Sequence, residues 1–340
     1  MTKRIVLADP RGFCAGVDRA ILTVQTILKA SVPVREDGLP PVYVRRQIVH
    51  NKHVVEELSA QGAVFVQELR EIPDEAASAG IPIVFSAHGV SPAVKAEAAA
   101  RGMHVIDATC PLVSKVHREV LRFVREGFEI IYIGHKGHDE AVGVVEEAPE
   151  HVHLIEHEAD VDSLDFAEDT KLVLLTQTTL SVDETAGTIA ALKCRFPWLQ
   201  MPPNSDICYA TSNRQAAVKL LVAEQSDCVV IVGSANSSNS VRLMEVAQEG
   251  LNSRFAADAT ADATDGLGRA HRVDDAAELD PSWFEGVESV GISSGASVPD
   301  ELVSGVVETL QGFGYTEVTT IETIKENMHF VLPSELRRAR

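Results

Sequence analysis

The sequence lacks an apolar run long enough to cross a bilayer, because its longest runs, such as CVVIVG, have the length of one strand. It also lacks a positive balance of charge. Its 30 lysines and arginines stand against 50 aspartates and glutamates, which gives a net charge of −20. Nucleic acids and anionic membranes are bound by basic surfaces, so we expect neither as a partner. An anionic small molecule would have to be held by a local pocket.

Cysteine is scarce, and the common nucleotide-binding motifs are missing. Five cysteines in 340 residues, an odd number without close spacing, do not form the pattern of a disulfide framework. The first apolar run stops at Ala8, which is too short for the core of a signal peptide. Neither a P-loop nor a GxGxxG fingerprint occurs. With 45% hydrophobic and 24% charged residues, the chain is expected to be a globular cytoplasmic protein.

Three cysteines divide the chain into stretches of similar order. Cys14, Cys110 and Cys208 are separated by 96 and 98 residues, and each lies between a strand-like run and an amphipathic helix. Behind each of these helices come further alternating strands and helices, including one continuous apolar strand. This alternation predicts an α/β fold of three similar modules, each with a parallel sheet that is covered on both faces.

The predicted modules span residues 1–104, 105–200 and 201–315, with one of the three cysteines in each. A tail, residues 316–340, lies outside the repeat and is expected to pack back on a module. Residues 251–267 are small and acidic without periodicity, which predicts an exposed inserted loop. Three modules that close around one site need no second copy, so we expect a monomer.

Ligands of open α/β sheets bind beyond the carboxyl ends of the strands, so the loops at these ends should form one site. Besides the cysteines, these loops carry His50, His88, His138, Glu140, Thr178, Thr179, Ser237, Ser238, Asn239 and Ser297. Such donors, together with helix N-termini, suit a phosphate or diphosphate. Glu140 is the one carboxylate of the set, and a partly dry pocket would raise its pKa and suit it to proton donation. Nothing in the sequence decides the role of His135, which lies in the same loop as His138.

Three thiolates at equivalent strand ends predict a metal site with one open position, either a four-iron cluster or a zinc site. The missing CxxC pair favours the iron–sulfur cluster over structural zinc. Cys194 and Cys228 lie within a helix and an apolar strand, and we expect both to be inert packing residues. Two other functions stay open. An electron carrier or redox sensor would use the same thiolates without the polar loops, and a zinc-dependent phosphate-ester hydrolase would use the same ligands.

Nine motifs together resemble one protein family. They are, in chain order, PRGFCAGVDRA, IVHN, SAHGVSP, DATCPLVSKVH, GHKGHDE, TQTTLSVDET, SDICYATSNRQ, NSSNSVRL and GASVPD. The family is that of the 4-hydroxy-3-methylbut-2-enyl diphosphate reductases, which perform the last step of the methylerythritol phosphate route to isoprenoids. The resemblance extends from about Ile5 to about Leu336, and the 251–267 stretch is longer than the family pattern.

The resemblance implies a pseudo-threefold cloverleaf of α/β domains around a central [4Fe–4S] cluster, with Cys14, Cys110 and Cys208 as ligands and the substrate hydroxyl on the fourth iron. Glu140 would be the proton donor, working with Thr178, and the other polar loop residues would line the diphosphate and allylic pocket. The implied reaction consumes two electrons and two protons. It converts (E)-4-hydroxy-3-methylbut-2-enyl diphosphate to isopentenyl diphosphate and dimethylallyl diphosphate by reductive dehydroxylation.

The resemblance also implies a ferredoxin or flavodoxin as the electron donor. Because the chain is acidic overall, an acidic donor would need a local basic area for docking. The candidate basic residues are Lys115, Arg118, Lys136 and Lys193.

Overall fold

The structure is a computed structural model that describes residues 3–31, 37–202, 205–224, 226–257 and 268–337. Its strands are β1 (Arg4–Asp9), β2 (Val42–Arg45), β3 (Ala63–Val66), β4 (Pro82–Phe85), β5 (His104–Asp107), β6 (Glu129–Ile133), β7 (Val152–Ile155), β8 (Leu172–Thr176), β9 (Cys228–Val232), β10 (Arg269–Val273), β11 (Ser289–Ser294) and β12 (Glu317–Glu322). Its α-helices are α1 (Ala15–Ala30), α2 (Lys52–Ala60), α3 (Asp74–Ser78), α4 (Pro92–Ala100), α5 (Pro111–Arg125), α6 (Asp139–Val145), α7 (Val182–Arg195), α8 (Tyr209–Ala223), α9 (Ser238–Ala257), α10 (Asp300–Gly312) and α11 (Ser334–Arg337). Within the described ranges, no helix combines the length and the apolar character that a membrane span needs.

The strands form three sheets, and every pair of neighbouring strands is parallel. The strand orders are β3-β2-β4-β5 in a four-stranded sheet, β7-β6-β8 in a three-stranded sheet and β10-β9-β11-β1-β12 in a five-stranded sheet. Parallel neighbours require a crossover connection, and the alternating helices provide it. The predicted α/β class with parallel sheets is therefore confirmed.

The chain separates into two compact units. The first unit holds the five-stranded sheet and comprises Met1–Cys14, His50–Lys52 and Tyr209–Met328. The second unit holds the other two sheets and comprises Ala15–Val49, His53–Cys208 and His329–Arg340. The module boundaries drawn from the sequence stay predictions.

The strands ahead of Cys14 and Cys110 pair with strands outside the modules in which the repeat placed them. β5, which leads to Cys110, pairs with β4, and Gln200, ahead of Cys208, forms a bridge to Val173 of β8. β1, which leads to Cys14, pairs with β11 and β12 in the five-stranded sheet. For β5 the reason is the crossover, since α4 returns the chain to the sheet that contains β4. Cys110 and Cys208 therefore follow the last paired segment of a sheet in chain order, whereas Cys14 follows the first strand of the five-stranded sheet.

The tail and the inserted loop differ in how well they were predicted. The first part of the tail forms β12, which packs on the five-stranded sheet, while in the second unit Arg19 Nε donates to Val331 O at 2.8 Å. The predicted loop at 251–267 is wrong in its first part, because α9 continues to Ala257. Leu251 is fully buried and Phe255, one turn later, packs in the same cluster, so both continue the apolar stripe of α9. The rest of the predicted loop, residues 258–267, lies outside the described residues.

The five-stranded sheet illustrates why its strands are continuous apolar runs. Successive side chains of a strand point to opposite faces. Cys228, Val230 and Val232 of β9 pack in one core cluster with α10, whereas Val229 and Ile231 pack in another with α8 and α9. Both faces are thus covered by helices. Burial of each such side chain stabilises the fold by about 1.5–3 kcal/mol.

Candidate active site

The three cysteines share one backbone contact. The amide of Cys110 donates to Ala87 O at 2.9 Å, that of Cys208 to Thr178 O at 3.0 Å, and that of Cys14 to Ala296 O at 3.2 Å. Each acceptor is the second residue after a strand, namely β4, β8 and β11. The sequence repeat is therefore a repeat of local geometry at the carboxyl ends of three equivalent strands.

Each of these cysteines also directly precedes a helix, so the positive end of a helix dipole lies beside it and stabilises negative charge there. Cys110 caps α5, and Pro111 fits the first helical position because it has no amide hydrogen to satisfy. None of the three forms a disulfide, and all three are half-buried. Cys228 differs, because burial raises its pKa to about 12 and keeps it an inert thiol.

Glu140 and Thr178 form a paired contact in the second unit. Thr178 donates twice to the carboxylate, from its amide to Oε1 and from Oγ1 to Oε2, both at 2.8 Å. Glu140 lies in the first turn of α6 and is 1% exposed, and Thr178 follows the end of β8. Two bonds from one residue fix both oxygens of the carboxylate.

The burial of Glu140 changes its acid strength. Loss of hydration raises the pKa of this carboxyl to about 7, although the two hydrogen bonds from Thr178 oppose the shift. Near neutral pH the group therefore exchanges between its protonated and ionised forms. A carboxyl with such a pKa is suited to donate a proton to a departing oxygen.

Two predicted histidines lie beside this pair in the second unit. His138 caps α6, and its Nδ1 accepts the amide of Glu140 at 3.2 Å. The His88 ring stands edge-on to the His138 ring, with the centroids 6.0 Å apart. His135 Nδ1 lies 3.9 Å from Oε1 of the half-buried Glu156, and its amide donates to Gln177 Oε1 at 3.0 Å. Thr179, next to Thr178, accepts from Gln177 Nε2 at 2.7 Å.

In the first unit, a second group of predicted residues connects to Cys14. Asn239 Oδ1 accepts the amide of Ala296 at 2.9 Å, and Ala296 O is the acceptor for Cys14. The hydroxyl of Ser297 donates to His50 O at 2.9 Å. Asn239 is almost completely buried, and its Nδ2 has no hydrogen-bond partner among the described residues. Such a donor is the kind of group that a bound anion satisfies.

The N-terminus of α9 is closely enclosed by backbone in the first unit. Ser237 Oγ accepts both the amide of Ser240, at 3.3 Å, and its hydroxyl, at 3.0 Å. A Cβ added at Gly233 or at Gly295 would lie only 2.1 Å from Ser240 Oγ. Glycine is therefore required at the ends of β9 and β11, because only a bare backbone lets this serine approach. Ser238 is the first residue of the helix that this arrangement positions.

Sequence reasoning missed the residues that hold the cysteine loops. Arg214 of α8 is fully buried, donates to Gly12 O at 2.8 Å and pairs with Glu326 at 3.1 Å, which fixes the loop ahead of Cys14. The feature of the sequence that could have identified Arg214 is a charged residue on the apolar face of a predicted helix. In the second unit, the buried Asp206 accepts from Lys115 Nζ at 3.0 Å and from the amide of Thr176 at 3.1 Å, which fixes the loop ahead of Cys208.

Comparison with known proteins decides the family. The chain matches the family model described as LytB protein over residues 5–311. The chain belongs to the LytB family. It is 80% identical over 342 residues to a 4-hydroxy-3-methylbut-2-enyl diphosphate reductase of Bifidobacterium longum, covering 99% of this chain and 93% of the relative. It is 52% identical to the reductase of the same name from Mycolicibacterium paratuberculosis, with 99% and 93% coverage.

Solved structures agree with this assignment. The structure of the E-1-hydroxy-2-methyl-but-2-enyl-4-diphosphate reductase from Plasmodium falciparum matches with a TM-score of 0.88 and 35% identity, covering 100% of this chain and 98% of the other. A second reductase structure, that of the terminal enzyme of the non-mevalonate pathway, matches with a TM-score of 0.60 and 30% identity, covering 92% and 100%. The resemblance to the 4-hydroxy-3-methylbut-2-enyl diphosphate reductases that was drawn from the motifs is confirmed.

Membership of the LytB family implies an iron–sulfur cofactor. The residues present fit such a group, because three half-buried cysteines that form no disulfide occupy equivalent strand ends beside helix N-termini. Thiolates are the protein ligands of iron–sulfur clusters. Cys194 and Cys228 share neither this position nor this backbone contact.

Proposed function

We propose that the chain catalyses the reductive dehydroxylation of (E)-4-hydroxy-3-methylbut-2-enyl diphosphate to isopentenyl diphosphate and dimethylallyl diphosphate. The reaction consumes two electrons and two protons, and the hydroxyl leaves as water. The observation that carries the proposal is the buried Glu140 carboxyl, which is fixed by Thr178, the residue whose carbonyl oxygen also accepts the amide of Cys208. An electron carrier or a redox sensor needs no such acid.

The proposed ligands of a [4Fe–4S] cluster are Cys14, Cys110 and Cys208. When bound, such a cluster supplies electrons one at a time, which side chains alone do not do, and offers a Lewis-acidic iron with an open coordination position. The shared backbone contact of the three cysteines supports this ligand set.

In this proposal, Glu140 holds the proton that the departing oxygen takes up. Its carboxyl is protonated in part at neutral pH because burial raises its pKa to about 7. Thr178 keeps both carboxyl oxygens in one orientation, so the acid needs no rearrangement before it donates. Thr178 is thus the second catalytic residue of the proposal.

The diphosphate and the allylic part of the substrate would be bound by the polar residues at the strand ends. The proposed set is His50, His88, His138, Thr178, Thr179, Ser237, Ser238, Asn239 and Ser297. The buried Nδ2 of Asn239 and the N-terminus of α9 are suited to phosphate oxygens, because both present N–H donors. This local arrangement lets an acidic protein bind an anionic substrate.

The remaining parts of the proposal concern the setting of the reaction. We expect a ferredoxin or a flavodoxin to deliver the electrons in the cytoplasm and the enzyme to act as a monomer. Neither nucleic acid nor membrane takes part.

Turnover under anaerobic conditions with a reduced viologen tests the proposal. The expected result is oxidation of the viologen that depends on the allylic diphosphate, with both products formed. Calorimetric binding of the same diphosphate is expected as well, since a carrier would not bind it. A protein that contains an iron–sulfur cluster but neither binds nor reduces this diphosphate would contradict the proposal.

A further inference from the structure

Helix α5 carries a row of arginines on one face. Arg118, Arg122 and Arg125 follow the i, i+4, i+7 spacing that places side chains on the same side of a helix. Arg118 and Arg125 are exposed, and Arg122 is half-buried. Leu121, which lies between them, exposes 43% of its surface. We call these four residues the α5 face.

The arginines of the α5 face are not used by the protein's own carboxylates. Among the residues that the structure describes, none of the three forms an ion pair. Arg122 instead lies over the ring of Phe123, 4.3 Å from its centroid, and Arg125 Nε donates to Leu121 O at 3.1 Å. Neither contact is with a carboxylate.

Several other basic residues of the second unit pair with carboxylates, whereas Lys171 and Lys193 have no ion pair among the described residues. Arg101 pairs with Asp74 at 2.6 Å, and Arg195 pairs with Asp162 at 3.5 Å. Of the basic residues considered for docking from the sequence, Lys115 pairs with Asp206 at 3.0 Å and Lys136 with Glu156 at 3.7 Å. In a chain of net charge −20, the α5 face gathers three guanidinium groups without a carboxylate partner among the described residues in one row of one helix.

Lys171 extends this positive surface beyond the end of α5. Its Nζ donates to Glu126 O at 3.1 Å, directly after the last residue of the helix, and lies 5.6 Å from the Phe128 ring centroid. Positive side chains near a helix C-terminus also stabilise the helix dipole, which accounts for Arg122, Arg125 and Lys171. The dipole does not account for Arg118, which lies mid-helix, or for an exposed leucine among the arginines.

The position of α5 connects this surface to the proposed cluster. Cys110 is the N-cap of α5, and Arg118 lies eight residues further, which is about 12 Å along the helix axis. The α5 face therefore begins at Arg118 near one proposed cluster ligand and extends to about 22 Å from it along the axis at Arg125.

We propose that the α5 face, extended by Lys171, is the docking surface for an acidic one-electron carrier protein. This inference rests on the proposed function, because the reaction needs two electrons. Each reduced carrier would give up one electron and leave oxidised, so two encounters serve one turnover, and the two protons join the hydroxyl and the product. Complementary charge would steer the carrier to this face against the acidic remainder of the surface.

Charge reversal of the α5 face tests the proposal. The variant Arg118→Glu/Arg122→Glu/Arg125→Glu is compared with the wild-type holoenzyme, using an acidic reduced ferredoxin or flavodoxin and, separately, reduced methyl viologen. We expect the KM for the carrier to rise by about tenfold or more and the decline of kcat/KM with salt to flatten. Turnover with the viologen should stay within about twofold, because none of the three arginines belongs to the proposed catalytic or binding machinery.

Two controls separate docking from structure. Arg70→Glu makes the same kind of charge change at another exposed arginine and should leave the carrier KM unchanged. The triple lysine variant keeps the charges and should retain the wild-type carrier KM. An unchanged carrier KM and salt dependence in the glutamate variant would overturn the proposal, as would equal losses with carrier and viologen. Wild-type protein that is inactive with viologen would instead refute the proposed function.

Discussion

Glu140 combines three properties that seldom occur together in one carboxyl: complete burial, a pKa raised to about 7, and two hydrogen bonds from one threonine. A carboxylate that only supported the fold would be expected to have a cationic partner, since buried charges are usually paired. Thr178 is neutral, so the pair keeps the acid available. We therefore expect single changes at Glu140 to act on turnover rather than on cofactor content.

The substitution Glu140→Gln should keep the cluster and the binding of the diphosphate but reduce turnover by about 100-fold to 10,000-fold. The amide preserves the shape of the side chain, whereas it has no proton of suitable acidity to give. Iron content, calorimetric affinity and kcat of the purified variant measure the three effects. Turnover at the wild-type rate would remove Glu140 from the mechanism.

The pH dependence of turnover should follow the ionisation of Glu140. Because the acid form is needed and burial raises its pKa to about 7, kcat/KM should decline as the pH rises above about 7. A pH profile measured with viologen as the reductant shows this decline of kcat/KM directly. The decline should be missing in Glu140→Gln, and its persistence there would assign it to another group.

The same pKa shift makes the free energy of unfolding decrease as the pH rises. A solvated glutamate has a pKa of 4.5, so between this value and about 7 the folded state binds more protons than the unfolded state. The stability contributed by this group is therefore present at low pH and is lost as the pH rises through about 7. Urea denaturation at several pH values should give a flatter dependence for Glu140→Gln than for the wild type.

Residues for which we propose a chemical role were easier to single out from the sequence than the residues that hold them. Cys14, Cys110 and Glu140 stand in recognisable motifs behind strand-like runs. Arg214 and Asp206 act through long-range contacts, to Gly12 O and to Lys115 Nζ, and no local pattern specifies such partners. Burial of a charged side chain depends on what the rest of the fold brings to it.

A single buried carboxylate, that of Asp206, links the segment ahead of Cys208 to two secondary-structure elements. The Asp206 side chain is 1% exposed and binds both β8, through the amide of Thr176, and α5, through Lys115. Since Cys110 caps α5, this contact ties together the elements that carry two of the proposed cluster ligands.

Removal of the cation from this pair should destabilise the second unit. We expect Lys115→Met to lower the free energy of unfolding by about 3 kcal/mol, because it leaves the Asp206 carboxylate buried without its cation. Lys136→Met removes a lysine that is 62% exposed and pairs with Glu156 at 3.7 Å, and it should change stability by less than about 0.5 kcal/mol. Urea titration of both variants measures the difference. Equal stabilities would show that the Lys115 pair contributes no more than a surface contact.

The order of strands and helices was predictable, but the pairing of strands was predictable only in part. Hydrophobic runs and helical periodicity fixed the alternation, and both depend on local side chains. Which sheet receives β1 or β5 depends on crossover geometry, which a repeat in the sequence leaves undetermined. The loop predicted at 251–267 failed at its start because Leu251 and Phe255 continue an apolar helical stripe into a polar segment.

For the whole molecule, the proposed chemistry depends on one cofactor held by three distant parts of the chain. Their equivalence is visible in the backbone bonds of Cys14, Cys110 and Cys208, each to the second residue after a strand. Loss of any of these ligands should release the cluster, whereas Cys194, on the surface of α7, provides a matched control.

Quantification of iron and acid-labile sulfide in anaerobically purified protein tests this ligand set most directly. We expect about four irons and four sulfides per chain in a brown wild-type protein and in Cys194→Ser, and loss of colour and activity in Cys14→Ser. A colourless, fully native wild-type protein that contains zinc, or a Cys14→Ser variant with a full complement of iron, would contradict it.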